Sequence, residues 1–288
     1  MEIAVLLTCF NRKDKTLHAL DNLMLAYNTI SDIISLNIYL TDDGSTDGTG
    51  EAVKEKFPDA VILHGNGNLY WAGGMRNSWK EAIKGNYDAY LLLNDDTNVF
   101  TNVFQELIST HEYCEKHYGR NGIYLGSTYD ATTKKISYGG AKLTNKFRFK
   151  YHFLTPNGHF QNCELGNANI MMVPKKVVDE IGILSEGYIH GVADYDYTLK
   201  AIKKNIPVLI TPNYSGTCTD DHTDIYITFQ NKSFSERLAL LKNPLALDFR
   251  SNFNLMLRHF PLRAPFVLFS AGLKLLLPSL YVKGLRNR

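Results

Sequence analysis

The chain pairs none of its cysteines in sequence: Cys9, Cys114, Cys163 and Cys218 are scattered, with no C-x-x-C. That argues against a zinc ribbon or a disulfide framework and fits a reducing compartment. It also lacks an excess of charge, with 31 Lys and Arg against 29 Asp and Glu. No global field therefore recruits nucleic acid, and an anionic ligand must be captured locally. A signal peptide is not expected either. "MEIAVLLTCFNRKD" has a short apolar run but no basic segment before it and no small-residue cleavage site, so it reads as a first strand with a cytoplasmic start. There is no internal repeat and no low-complexity segment. The most apolar stretch, Ala264–Val282, is interrupted by Lys274 and Pro278, where a spanning helix wants around 20 apolar residues.

What is present suits a globular core: 44% hydrophobic and 12% aromatic residues in 288, enough for one large α/β domain or a domain plus an appendage. Apolar runs alternate with helical patterns through the first half. Strands are expected at Ile3–Thr8, Leu36–Thr41, Val61–His64 and Ala89–Asn94. Helices are expected at Lys15–Asn28, about Gly48–Phe57 and Met75–Lys84. This order implies a mostly parallel sheet between helices. The second half is less regular: short strands and hairpins around Gly122–Tyr151, helices at about Lys175–Ile181 and Asp194–Lys204, and a helical tail from Ser233.

Ligands of such open sheets sit beyond the carboxyl ends of the strands. Polar clusters fall at all four: "TCFNR", "TDDGSTD", "GNGNLYWAGG" and "NDDT". The third is no dinucleotide fingerprint, since it follows the third strand and lacks the G-x-G-x-x-G spacing. Its glycines, Gly74 among them, suit close backbone approach, with Asn68, Trp71 and Arg76 facing a ligand. Arg76 either neutralises phosphate or sits on a solvated helix face.

"LLTCFNR", "TDDGSTDGTG", "NLYWAGGMRNS", "LLLNDDT" and "GVADYDYTLKAIKKN" follow the order of the motifs of family 2 glycosyltransferases with the GT-A fold, which residues 1–225 resemble. The resemblance implies a nucleotide-sugar donor, a divalent metal and inversion at the anomeric carbon. It divides the chain into a catalytic domain, 1–225, and a helical extension, 226–288. Within the first, 1–100 would bind the nucleotide and 101–225 would carry acceptor and catalysis.

Asn94, Asp95 and Asp96 match the family's D-x-D signature, with Asn in place of the first acid. A divalent cation reverses the repulsion between carboxylates and a diphosphate. Asp96 is the expected metal ligand, while Asp95, with Asn94, goes to the donor's ribose or assists the metal. By resemblance Asp43 accepts from the imide N3–H of a pyrimidine, which leaves uracil or thymine. Thr8, Phe10, Asn11 and Arg12 would line the donor site, with Phe10 stacking on the base. Asp194 matches the catalytic base, and Asp196 would orient acceptor or cap its helix. Ala193 stands where the family usually has an acid. His222 would complete a metal shell, which leans towards Mn²⁺ without excluding Mg²⁺. His190 is an acceptor-binding candidate.

The reaction expected is transfer from a UDP- or dTDP-sugar to a saccharide or lipid-linked saccharide, in bacterial surface polysaccharide synthesis. Two alternatives are a non-catalytic sugar-nucleotide-binding or scaffold protein and a sugar-nucleotide nucleotidyltransferase. The latter needs a Gly- and Arg-rich loop that "TCFNRKDKT" does not supply. Arg258, Arg263, Lys283, Arg286 and Arg288 accompany the apolar tail. It reads either as an interfacial helix on the inner face of the cell membrane or as one packed on the catalytic domain or a homodimer partner.

Overall fold

A computed structural model describes residues 1–219 and 229–286. The first half follows the expected alternation: β1 (Glu2–Cys9), α1 (Lys13–Asn28), β2 (Ser35–Asp42), α2 (Thr49–Lys56), β3 (Val61–His64), α3 (Tyr70–Ala82) and β4 (Ala89–Leu93). These four strands are parallel, in spatial order β3-β2-β1-β4. β1 and β4 read as continuous apolar runs because helices cover both faces of the sheet. Alternation then splits β1: Ile3, Val5 and Leu7 face a core shared with Leu20, Leu23 and Phe104, whereas Ala4 and Leu6 face Met75, Trp79 and Tyr197.

The later elements are β5 (Asn98–Val99), α4 (Val103–Tyr118), β6 (Ile123–Tyr129), β7 (Ile136–Tyr138), β8 (Gly140–Asn145), β9 (Lys150–Phe153), β10 (Gln161–Asn162), β11 (Leu165–Gly166), β12 (Ile170–Pro174), α5 (Lys175–Ile181), α6 (Ala193–Lys203) and β13 (Val208–Thr217). Among the described residues the central sheet has ten strands, and its main path continues beyond β4 as β12, β6, β13 and β10. β12 runs antiparallel to β4, with Ile170 opposite Leu93. A strand entering in that sense begins where β4 ends, so the residues before β12 arrive at the carboxyl end of the parallel half. A small sheet, β11-β8-β9, lies apart. Among the described residues four α-helices follow, α7 (Phe234–Lys242), α8 (Phe249–His259), α9 (Ala264–Leu276) and α10 (Pro278–Arg286), with a 3₁₀ turn at Pro261–Arg263 leading into α9.

The largest difference from the expected boundaries lies at α3. α3 begins at Tyr70, five residues before Met75, so "YWAGG" is helix rather than loop. Its amide end is capped from a distance: Asp43 Oδ2 accepts from the N–H groups of Leu69 and Tyr70, both at 2.9 Å. The glycines serve packing there. A Cβ on Gly74 would overlap the Thr8 side chain on β1, so only hydrogen lets α3 lie this close. Gly74→Val is expected to cost about 1–3 kcal/mol by overpacking, read as a lower urea midpoint.

Candidate functional site

A cavity of about 300 Å³ opens at the carboxyl ends of β1, β2 and β4. Among the residues singled out in the sequence, Thr8, Phe10, Arg12, Asp43, Trp71, Asp95 and His190 line it. Phe10 is 51% exposed at its mouth, which leaves a ring face for stacking. Leu245, from the segment joining α7 to α8, closes another side.

Asp43 is buried and heavily used. Gly67 N–H donates to Oδ1 at 2.9 Å, and Leu69 and Tyr70 donate to Oδ2. With about four acceptor sites on a carboxylate, one remains, on Oδ1. Its neighbour Asp42 accepts from the N–H groups of Ser45 and Gly50, so one acid of "TDDG" shapes the loop and the other shapes α3. Asn11 also works locally, its Oδ1 taking the Thr46 N–H at 2.7 Å.

The acids after β4 are held by a cation from β1's end. Arg12 Nη1 donates to Asp96 Oδ2 at 2.7 Å and to Asp95 Oδ1 at 3.2 Å. Burial, opposed by Arg12 and reinforced by Asp96, pushes Asp95 up to about 7. Asp96 is more open, and Cys218 Sγ lies 3.7 Å from its Oδ1. Burial lifts that thiol to about 12, which keeps it protonated. Asn94 turns elsewhere: its Oδ1 accepts from the Trp71 indole N–H at 2.8 Å.

The donor chemistry fits a hard divalent cation, since Asp96 offers a partly exposed carboxylate whose present counter-charge, Arg12, is itself 44% exposed. Among the described residues no group of three or more His, Cys, Asp or Glu gathers as a ready metal cluster. His222 lies outside the described residues.

Asp194 occupies the first turn of α6 and stays partly accessible. Its Oδ1 accepts from Tyr195 N–H at 2.8 Å, and Oδ2 from Ala168 N–H at 3.3 Å and Asn167 Nδ2 at 3.5 Å. Burial raises it to about 6 in spite of these donors. The preceding Val192 has φ 57°, a left-handed conformation that a β-branched residue rarely adopts. Such strain collects where a side chain must be held in one direction.

Four residues are engaged away from the cavity. Arg76 donates to the carbonyls of Ser185 and Tyr188 at 3.1 and 2.9 Å and pairs with Glu186, tying α3 to the loop before α6. Asp196 is buried, and its Oδ1 is shared by Tyr188 Oη and His259 Nε2, each at 2.8 Å. Asn68 bonds locally to Asn66. Gly74 faces Thr8. The acid missing at Ala193 has a physical counterpart: this residue is fully buried against Leu255 and Met256 of α8, where a carboxylate would lose its water.

Sequence reading missed Asn167, Ala168 and Asn169. Together they join the two acidic regions: Asn167 and Ala168 donate to Asp194, while the Asn169 carbonyl accepts from Asn94 N–H at 3.2 Å and its amide donates to Thr97 at 3.4 Å. The available signal was "GNAN" directly before the apolar "IMMVP". It also missed Tyr188 and His259, and nothing local marks either.

The family described as Glycosyl transferase family 2 matches residues 4–181. Among solved structures, the mannosyltransferase PcManGT from Pyrobaculum calidifontis, in complex with GDP-Man and Mn²⁺, superposes with a TM-score of 0.55 at 13% identity, covering 98% of this chain and 72% of that one. Residues 1–349 of S. aureus TarS superpose with a TM-score of 0.51 at 15% identity, covering 91% and 72%. A longer TarS chain gives 0.53 at 14%, covering 90% of this chain and 44% of that one. At such identities the likeness is one of fold. No curated protein sequence matches.

Proposed function

The chain belongs to glycosyl transferase family 2, and from that premise we propose that it moves a sugar, with inversion, from a UDP- or dTDP-sugar to a hydroxyl of a saccharide or lipid-linked saccharide. Surface polysaccharide synthesis is the process this reading serves. The observation that carries it is the gathering of Thr8, Phe10, Arg12, Asp43, Trp71 and Asp95 around one cavity at the strand ends.

In this reading the base stacks on Phe10, and its imide N–H takes the remaining acceptor site of Asp43. Arg12 is close enough to both acids to pass its charge from them to the arriving diphosphate. Asp96, assisted by Asp95, would hold Mn²⁺ or Mg²⁺, which supplies charge neutralisation for the diphosphate and the departing nucleotide. Asp194 takes the proton of the acceptor hydroxyl as its oxygen attacks the sugar's C1 from the face opposite the diphosphate. Ala168 N–H and Asn167 orient that carboxylate, and burial keeps its affinity for a proton near what a general base needs.

A thermal-shift panel tests the donor. UDP- or dTDP-sugars with Mn²⁺ are expected to raise the melting temperature, and GDP-sugars to leave it unchanged. A shift with GDP-sugars only would overturn the base assignment. Asp96→Ala should remove the manganese-dependent part of nucleotide binding by calorimetry, a loss of about tenfold or more in affinity. Unaltered manganese dependence would remove Asp96 from the metal site. Ala193 and Asn94 favour a second reading, donor binding without transfer. Slow release of UDP or dTDP in the presence of Mn²⁺ separates the enzyme from such a binder.

A further inference from the structure

The C-terminal helices carry a charge pattern unlike the rest of the chain. Between Phe249 and Arg288 lie seven of the 31 basic residues and none of the 29 acidic ones, so the remainder has five more acids than bases. The same segment is where large apolar side chains stand in solvent: Leu262 at 79%, Phe269 at 67% and Leu276 at 71%, with Phe266, Leu277 and Leu280 more than half exposed.

The arrangement is ordered. Phe266, Phe269 and Leu276 recur at intervals of three and seven along α9, and Leu262 precedes Phe266 by four, so they share one face. The opposite face carries the buried Ala264 and Ala271. At about 100° per residue, Lys274 falls along one edge of the apolar stripe, while Arg263 on the same edge turns inward over the Phe149 ring, 5.7 Å from its centroid. Phe266, Phe269 and Leu280 also line a cavity of about 680 Å³ among α7–α10, roomy enough for a hydrocarbon chain.

We propose that this face docks flat on an anionic lipid bilayer, with the stripe entering the acyl boundary and the basic edge among the headgroups. Charge complementarity selects the partner: even with Arg258 held beside Asp196 and Arg263 turned inward, a segment with seven cations and no anion of its own suits a uniformly negative surface, and its exposed apolar side chains suit hydrocarbon. A crossing is excluded for these helices. α9 has 13 residues, about 20 Å of helix against a core of about 30 Å, and no described helix is long and apolar enough to span.

The docked surface adjoins the reaction site through α8. Ser251 Oγ accepts from Ile189 N–H at 3.2 Å, Asn254 donates to the Gly187 carbonyl at 2.7 Å, and Arg258 donates to that of Glu186 at 2.9 Å. All three belong to the loop leading into α6.

Co-sedimentation of the full chain with vesicles tests the proposal, and needs no sugar donor. Vesicles of equal parts phosphatidylcholine and phosphatidylglycerol are expected to bind at least about tenfold more tightly than phosphatidylcholine alone, with binding weakened by salt. Phe266→Glu with Phe269→Glu should lower that binding at least about tenfold and shift the melting temperature only slightly, since both side chains are more than half exposed and Phe266 gives up one edge contact, with Phe147. Lys274→Gln with Lys283→Gln should flatten the salt dependence. Equal affinity for both vesicle types, or binding unaffected by the Phe pair, would overturn the proposal. So would a dimer by light scattering that the Phe pair dissolves while vesicle binding persists.

Discussion

Replacing Asp194 by asparagine is expected to lower turnover about 10²–10⁴-fold while donor affinity by calorimetry stays within about twofold. Asn keeps the shape and one acceptor oxygen; it removes the ability to take a proton and turns its NH2 towards one of the N–H groups that now donate to the carboxylate, Tyr195 or Ala168. The proposed donor contacts are Phe10, Asp43 and Arg12, none of which Asp194 bonds to. The wild-type kcat/KM should rise with pH through about 6 and level off above, because burial keeps the carboxyl protonated to that value. Asp194→Glu should retain weak activity with a displaced acid limb. The linkage has a definite sign. The folded chain holds this proton more tightly than the unfolded chain, so the stability it contributes is complete below about 4 and is lost as pH rises through 6. Normal turnover in the Asn variant would end the assignment of the base.

Asp196→Ala is expected to destabilise the fold by roughly 3–5 kcal/mol, read from urea midpoints at neutral pH. The carboxylate is buried and accepts from Tyr188 and His259, with Arg258 Nη1 3.6 Å away, so its loss leaves three polar groups facing an empty space. Burial works to raise its pKa, but the hydrogen bonds of His259, Ser185 and Tyr188 prevail and hold it at about 2. A depressed carboxylate contributes stability above its unfolded pKa, here about 4, and loses it as pH falls towards 2. The gap between wild type and Asp196→Asn should therefore narrow by about 2 kcal/mol from pH 7 to pH 2. A gap that stays constant would show that the network does not depend on ionised Asp196. Turnover should fall with stability, because Asp196 shares the first turn of α6 with Asp194.

The parallel half was legible because its signals are local. β1 and β4 are unbroken apolar runs, α1 repeats leucines at helical spacing, and each strand ends in a polar cluster. Asp194, Asp96 and Asp43 could be located for the same reason. Their company could not. Arg12 meets Asp96 across 84 positions, Asp43 caps a helix that starts 27 residues later, and His259 reaches Asp196 across 63. Such partners depend on packing, and no local pattern records them. Arg76 shows the limit well: its position after "GG" suits phosphate, yet the carbonyls of the α6 loop claim it.

By itself, then, the sequence determined the alternation of strands and helices, the family, and which strand ends carry acids. Propensity and apolar periodicity act over a few residues and survive without a tertiary context. The tertiary structure decided what those acids do before a ligand arrives. Antiparallel entry of β12 sets Asn169 against Asn94, capping by Asp43 turns "YWAGG" into helix, and α8 closes over Ala193 while binding Asp196. Each outcome rests on a buried polar group finding its partner from a distant segment, since one left unpaired inside the protein costs more than the turn that brings its partner there.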